Sequence, residues 1–409
     1  MKNKRIWLVS HYSMPPEYEM RIKTERYAHY LGQKGYDVTI FSASTIHNTD
    51  INLITDKSLY IERKYGDLKF VHIRCSDYSV NGIRRIINMQ QFAYRFRRIA
   101  KNLPQPDVVV ADVNCTNYKQ IYLYCKKRKI PFYVDVRDLW PASIVAYCNF
   151  HENDLVIKYL YHKEKTMYKQ ATGIIFSMEG GYEYIKDHHW EHLIPKSKVY
   201  YINNGVDLEQ FRYNKENYQI NDNDLKSPDT FKVIYTGSIR KVNNLGLILD
   251  SAKLVKNKKI KFLVWGDGDE LLMLKRRVRD ENITNVVFKG KVEKKFIPYI
   301  VSHADLNFAH NEATPLFKYG ISFNKLFDYM AAGKPIFCDF PCDYNPAVKE
   351  GCGIESVDTS ASAIASKIDY ISELKEKDYE AYCYNALNAA RKYDFKNLTN
   401  DLISVVVPK

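Results

Sequence analysis

The 409-residue chain has no stretch approaching the roughly 20 apolar residues that a membrane-spanning helix needs. Its opening run, MKNKRIWLVSHYS, reads as a strand, and the apolar part is too short for a targeting core. A cytoplasmic protein, soluble or peripheral to a membrane, is therefore expected. The eight cysteines follow no metal-like or disulfide-like spacing: Cys338 and Cys342 flank one loop, and Cys352 follows ten residues on. Such thiols fit a reducing compartment. Zinc-finger spacing, an RNP-like aromatic motif and a long basic tail are all missing, so the net charge of +13 is not read as a nucleic-acid footprint. Excess positive charge also suits anionic lipid or phosphate-rich substrates. No short internal repeat or low-complexity segment is present.

What is present is an alternation of strand-like and helix-like runs, the pattern of parallel α/β domains. In the first half the strands read RIWLVS, DVTIFSA, KFVHIR, DVVVAD, PFYVDV, GIIFSM and KVYYINN. In the second they read FKVIYTGS, KFLVWGDG, VVFKG, DLNFAH, PIFCDF and GIESVD. They are short and β-branched, as strands covered on both faces should be. The segment RIKTERYAHYLGQKGY reads as a helix capped by Gly35. Two successive doubly wound sheets are expected, joined near Asn203-Asn204-Gly205-Val206-Asp207. Ligands of such sheets bind beyond the carboxyl ends of the strands, so chemistry is sought in the loops there. The 33 tyrosines suit sugar-stacking surfaces, or reflect only the composition of the source.

One segment is the most informative: SFNKLFDYMAAGKPI, from Ser322 to Ile336. A Lys-bearing turn leads into an apolar helix that carries Asp328 in its first turns. An acid there can accept hydrogen bonds from ribose hydroxyls, and a helix start favours anions. Lys325 at that start is disfavoured by the helix dipole, which points to an anionic ligand. The loop Gly237-Ser238-Ile239-Arg240-Lys241 follows a strand; its Gly permits close backbone approach and its cations can neutralise a pyrophosphate. Gly266-Asp267-Gly268 is a tight turn of the same kind.

These motifs, in this order, resemble family 4 retaining glycosyltransferases, most closely the branch that makes bacterial O-antigen and capsule polysaccharides with amino sugars. The resemblance implies the α/β GT-B fold, two Rossmann-like domains facing across a deep cleft. It divides the chain into an acceptor-binding domain over 1–207, a nucleotide-sugar-binding domain over 208–390, and a helix over 391–409 returning to the first. It implies transfer of a sugar, hexosyltransferase-type, from a UDP-linked donor to a glycan or polyprenyl-pyrophosphate-linked acceptor. Donor contacts would come from Gly237, Ser238, Gly266, Gly268, Lys291, Val292, Ser322, Asn324 and Asp328. Arg240, Lys241 and Lys325 would assist departure of the diphosphate. Asp138, in Arg137-Asp138-Leu139-Trp140-Pro141, would orient or deprotonate the acceptor hydroxyl, with Arg137, His11 and Glu17 contacting the acceptor.

The chain departs from the family pattern in places. Gly320 stands where the first of two Glu residues is usual, Asp328 replaces the second, and Ser238 replaces an Arg. Phe323 stands where the branch has Pro. The segment 81–103 has six basic residues and no acids. Met89, Phe92, Ala93, Phe96 and Ala100 share one helical face, with Arg84, Asn88, Gln91, Arg95 and Arg98 opposite. That face is read as packing on its own core, or as a dock for an anionic membrane surface or a lipid pyrophosphate. No cofactor beyond the donor is expected. No metal is expected either, on the reading that an Asp-x-Asp element typical of the other major glycosyltransferase fold is absent. A nucleotide-sugar epimerase of the same architecture and a non-catalytic sugar-nucleotide-binding subunit stay open as alternatives.

Overall fold

The computed structural model describes residues 4–18, 22–47, 49–78 and 82–407. The chain divides into two compact units. One holds Met1–Asn203 together with Phe395–Lys409, and the other holds Asn204–Asp394.

The first unit is built on an eight-stranded sheet. Its strands are β1 (Arg5–Ser10), β2 (Asp37–Ala43), β3 (Tyr60–Tyr65), β4 (Leu68–Ile73), β5 (Val108–Asp112), β6 (Phe132–Val136), β7 (Gly173–Phe176) and β8 (Val199–Tyr201). Their order is β3-β4-β2-β1-β5-β6-β7-β8. All pairings are parallel except β3 with β4. Strand β3, YIERKY, escapes the sequence reading because an edge strand need not be apolar: Glu62, Arg63 and Lys64 at its centre are exposed. Charges on an edge also discourage pairing with another chain. The helix Lys23–Gln33 ends as expected, with Gly35 at φ +85 and the Tyr36 N–H donating to the Leu31 carbonyl.

The last helix, Phe395–Val406, belongs to this unit. It buries Phe395, Leu398, Leu402 and Val406, one stripe of a helix. Phe395 meets Tyr27 of the Lys23–Gln33 helix edge to face, with ring centroids 5.9 Å apart. The preceding helix, Glu376–Lys392, stays with the second unit.

The second unit carries β9 (Phe231–Thr236), β10 (Ile260–Trp265), β11 (Val286–Gly290), β12 (Leu306–Ala309), β13 (Ile336–Cys338) and β14 (Gly353–Glu355). All are parallel, in the order β11-β10-β9-β12-β13-β14. Numbered within the unit this is 3-2-1-4-5-6, the doubly wound order that reverses between its first and fourth strands. The strands alternate between two cores because successive side chains point to opposite faces. Val233, Tyr235, Phe262 and Val264 enter one apolar cluster, and Ile234, Leu263 and Trp265 enter the other. The reversal falls between β9 and β12, so the loops that follow those strands flank the crevice where such sheets bind ligands. None of the helices is long and apolar enough to cross a membrane, among the described residues.

Candidate donor site and the family of the chain

Three loops at the carboxyl edge of the second sheet are stitched together by backbone. The Gly237 N–H donates to the Trp265 carbonyl at 3.0 Å, the Ile239 N–H to the Asp267 carbonyl at 2.9 Å, and the Gly266 N–H to the Gly290 carbonyl at 2.9 Å. These bonds continue the ladder past the ends of β9, β10 and β11. They bring the chains so close that side chains are excluded. A Cβ on Gly266 would lie 1.8 Å from the Gly237 carbonyl oxygen, and one on Gly268 would lie 2.1 Å from the Ile239 carbonyl oxygen. Gly237, Gly266 and Gly268 are thus brought together, as expected.

The loop after β9 is braced from inside. The Asn243 amide donates to the Ser238 carbonyl at 2.7 Å and to its hydroxyl at 2.9 Å, and the Tyr235 hydroxyl donates to the same carbonyl at 3.0 Å. Ser238, in place of the family's Arg, therefore supplies a bracing group and no charge. Arg240 and Lys241 are exposed and have no carboxylate partner among the described residues.

The missing charge is met from another element. The helix Asn324–Ala331 is held to the end of β9 by Tyr329, whose buried hydroxyl accepts the Thr236 N–H at 3.0 Å and pairs with the Thr236 hydroxyl at 3.0 Å. This places Lys325 over the Tyr235 ring, with Nζ 4.3 Å from the centroid. The same Nζ lies 3.3 Å from where a Gly237 Cβ would sit and donates to the His310 carbonyl at 3.3 Å. No carboxylate faces it among the described residues. Phe323 packs against Phe317 and Phe340 at 5.7 and 5.9 Å between centroids, fixing the turn through an aromatic cluster. Ser322 is half-buried beside it, Gly320 takes φ +99, and the Asn324 carboxamide accepts from Asn204.

Asp328 lies part-buried on the same helix, with no hydrogen-bond or ion-pair partner among the described residues. Burial raises its carboxyl to about 6, opposed by Lys294, which follows β11. That strand ends at Gly290, with φ +81, and continues into exposed Lys291 and half-buried Val292. The residues expected to hold the base, the ribose and the diphosphate therefore line one edge of one sheet.

Sequence reasoning missed a buried pair beside them. His310 follows β12 and Asp339 follows β13. The imidazole Nδ1 bonds the Asp339 carboxyl, and Nε2 faces the Asn244 carbonyl at 3.1 Å. Both side chains are almost wholly buried. No spacing in the sequence links positions 310 and 339; only the adjacency of β12 and β13 does.

In the first unit, Arg137 is engaged from all sides. Its guanidinium bonds Asp135 at 3.0 Å, Asp112 at 3.3 Å and the Thr24 hydroxyl at 2.8 Å. Burial alone would lower its pKa, but the two carboxylates outweigh this and raise it. Buried Lys23, also missed from sequence, bonds Asp135 at 3.2 Å and the Ser177 hydroxyl at 2.9 Å. Asp138, the next residue after Arg137, is exposed. Arg137 thus braces the loop that presents Asp138. His11 is buried, with Nε2 2.6 Å from the Asn88 carboxamide oxygen, whereas Glu17 is exposed.

The helix Ile83–Ile99 corrects the expected polar stripe; Asn81 lies outside the described residues. Asn88 is fully buried, holding His11, Thr45 and the Ser76 carbonyl. Gln91 accepts the Ser76 N–H, and Arg95 bonds the Arg74 carbonyl. The middle of that stripe, Asn88, Gln91 and Arg95, is used in packing, while Arg84 and Arg98 at its ends are exposed. The face turned to solvent instead carries Ile83, 76% exposed, with Ile86, Ile87 and Tyr94, and continues into exposed Arg98 and Lys101.

Comparison with known proteins accounts for both units. The family description Glyco_transf_4, Glycosyltransferase Family 4, matches residues 24–210, and Glycos_transf_1, Glycosyl transferases group 1, matches residues 217–388. The chain is a family 4 glycosyltransferase of the GT-B fold. Solved structures share the fold at low identity. Sucrose-phosphate synthase from Thermosynechococcus elongatus is 13% identical, with a TM-score of 0.71 over 98% of this chain and 97% of that one. A glycosyltransferase from Rickettsia africae is 15% identical, with a TM-score of 0.66 over 99% and 98%. HepE of Anabaena, solved in complex with UDP, is 11% identical, with a TM-score of 0.65 over 98% and 99%. No curated protein matches the chain.

One premise about the glycosyltransferase needs correcting. Asp-x-Asp triplets are present, at Asp222-Asn223-Asp224 and Asp267-Gly268-Asp269. The first is taken up by structure: Lys289 bonds both carboxylates at 2.6 and 2.5 Å, Lys261 bonds Asp224 at 2.5 Å, and Asp222 caps a short helix. The second is part of the glycine turn, where the Gly268 N–H donates to the Asp267 carboxyl at 2.9 Å. Among the described residues no group of three His, Cys, Asp or Glu is placed to hold a metal ion.

The stitched turns give a direct test. Gly266→Ala should force the Gly237 carbonyl aside and destabilise the second unit by roughly 1–3 kcal/mol. Denaturant melts followed by tryptophan fluorescence should show this; a Gly266→Ala protein as stable as the parent would contradict the close approach.

Proposed function

We propose that this glycosyltransferase moves a sugar, an N-acetylated amino sugar by resemblance of its 322–336 segment, from a UDP-sugar to a glycan or polyprenyl-pyrophosphate-linked acceptor in bacterial surface polysaccharide synthesis. The observation that carries the donor half is the Asn324–Ala331 helix. It places a cation without a carboxylate partner, Lys325, against the Gly237 turn, and an acid without a partner, Asp328, one turn further on. A cation and an acid so spaced fit a ligand with a diphosphate at one end and a ribose diol at the other. Ordinary folded surfaces pair such groups or leave them in water. The complexes of Anabaena HepE with UDP and with UDP-glucose support the same reading.

In the mechanism that follows, the amides of the Gly237 turn and Lys325 receive charge as the diphosphate departs, with Arg240 and Lys241 of the same loop adding to the field. The freed phosphate oxygen deprotonates the incoming hydroxyl on the same face, so the anomeric configuration is retained. Asp138, presented by the braced Arg137, orients the acceptor. The Lys291–Val292 backbone meets the base. No step needs a metal or a cofactor beyond the donor.

The Ile83–Ile99 helix supports contact with the inner face of the cell membrane. Exposed aliphatic residues beside cations, on a segment without acids, match an anionic bilayer: the apolar side chains insert and the cations meet headgroups.

Four outcomes are expected. Asp328→Asn should weaken UDP binding at least tenfold and yet raise stability at pH 8 by on the order of 2–3 kcal/mol. The sign follows from the raised carboxyl: wild-type stability is complete below the ordinary value of 3.8 and is lost as pH rises through about 6. Uridine, which carries no phosphate, should bind wild type more weakly as pH falls below about 6, because protonated Asp328 cannot accept from both hydroxyls. Calorimetry and thermal melts check all three; unchanged UDP affinity in Asp328→Asn would sink the donor assignment. Separately, the triple change Ile83→Ser, Ile87→Ser and Tyr94→Ser should abolish sedimentation with phosphatidylglycerol vesicles and leave UDP affinity unaltered. Vesicle binding that persists in this variant would remove the helix from the membrane account.

A further inference from the structure

His310 touches both halves of the phosphate-facing apparatus. Its ring faces the Asn244 carbonyl at 3.1 Å through Nε2, and its own carbonyl accepts from Lys325 Nζ at 3.3 Å. Asn244 is the left-handed residue, φ +48, that closes the turn Lys241–Asn243. Asn243 in turn ties the Ser238 carbonyl and hydroxyl. An unbroken series of contacts therefore runs from β12 through the imidazole to the loop of residues 237–244. A second, shorter one runs from the same residue to the cation.

The chemistry of the pair fixes where the protons are. A carbonyl oxygen can only accept, so Nε2 must carry hydrogen. Nδ1 then shares a further proton with the Asp339 carboxyl, whose other oxygen is buried without a partner. Asp339 so holds the ring in the one protonation pattern that keeps Nε2–H aimed at the loop. Both groups are excluded from water, 0% and 1% exposed, so neither is available to touch a substrate.

We propose that His310, backed by Asp339, is a positioning residue for the diphosphate end of the donor site: it sets the spacing between the amides of the Gly237–Lys241 loop and Lys325. This rests on the reading of that edge as the donor site. It does not concern the base and ribose contacts, which lie toward Asp328 and Val292. Loss of the tether should weaken ligands that carry phosphate and spare those that do not.

The test uses the full chain, with UDP and uridine as probes and affinities read by ligand-observed NMR. In His310→Asn the shorter amide can still donate to Asp339 but cannot reach Asn244. In His310→Gln the amide nitrogen reaches the place of Nε2 and restores the tether. His310→Asn should bind UDP at least tenfold more weakly than wild type and uridine equally well, while His310→Gln should match wild type for both. The inference is overturned if His310→Asn binds UDP within twofold of wild type, or loses UDP and uridine in parallel, or if His310→Gln is as impaired as His310→Asn. Should His310→Asn not fold, His310→Gln still decides: a folded His310→Gln that matches wild type for both probes supports the tether, and one that loses UDP alone refutes it. Wild type that fails to bind UDP would overturn the donor reading itself, an outcome distinct from these.

Discussion

Gly266 has no room for a side chain, because a Cβ there would fall 1.8 Å from the carbonyl oxygen of Gly237. That close approach lets the backbones after β9, β10 and β11 hydrogen-bond beyond the ends of the strands. The sheet edge becomes a stiff rim of amides. Everything else in the candidate donor site is referred to this rim: Tyr329 docks the Asn324–Ala331 helix on it, Lys325 reaches over Tyr235 to it, and His310 ties its outermost loop back to β12. A site built this way is ordered before any ligand arrives, which limits the entropy lost on binding.

The groups along the rim are costly when left alone. Lys325 sits at a helix N-terminus, where the dipole disfavours a cation, and Asp328 is held at a raised pKa by burial. In the first unit the buried charges of Lys23, Asp135, Arg137 and Asp112 are paired closely, and buried Glu164, without a cation, is bonded by the Tyr168 and Tyr184 hydroxyls. Local departures from such pairing mark functional positions more often than defects.

The fold was legible because its signals are local. Short β-branched runs, glycine turns and Gly35 at a helix end each follow from neighbouring residues, and every strand named from the sequence is present. Strand β3 was not legible, because a charged edge strand lacks the apolar pattern on which recognition rests. The glycines, Lys325 and Asp328 were legible because residue type and position after a strand carry meaning together. The charge lost at Ser238 could be assigned to Arg240, Lys241 or Lys325 but not ranked among them, since Lys325 reaches Gly237 only through the docking of Tyr329. His310 with Asp339 and Lys23 with Asp135 were invisible for the same reason: their partners lie on neighbouring strands and share no spacing. In the Ile83–Ile99 helix the apolar face of Met89, Phe92, Ala93, Phe96 and Ala100 is buried as expected, but the middle of the opposite stripe was misjudged, because amide side chains such as that of Asn88 look solvent-facing in sequence and here are fully bonded inside.

Hydrogen–deuterium exchange with and without UDP tests the central claim most directly. UDP binding should slow exchange at residues 237–244, 290–296 and 322–328, which lie on or against the rim of the second sheet. Protection absent from all three, or confined to the first unit, would contradict it.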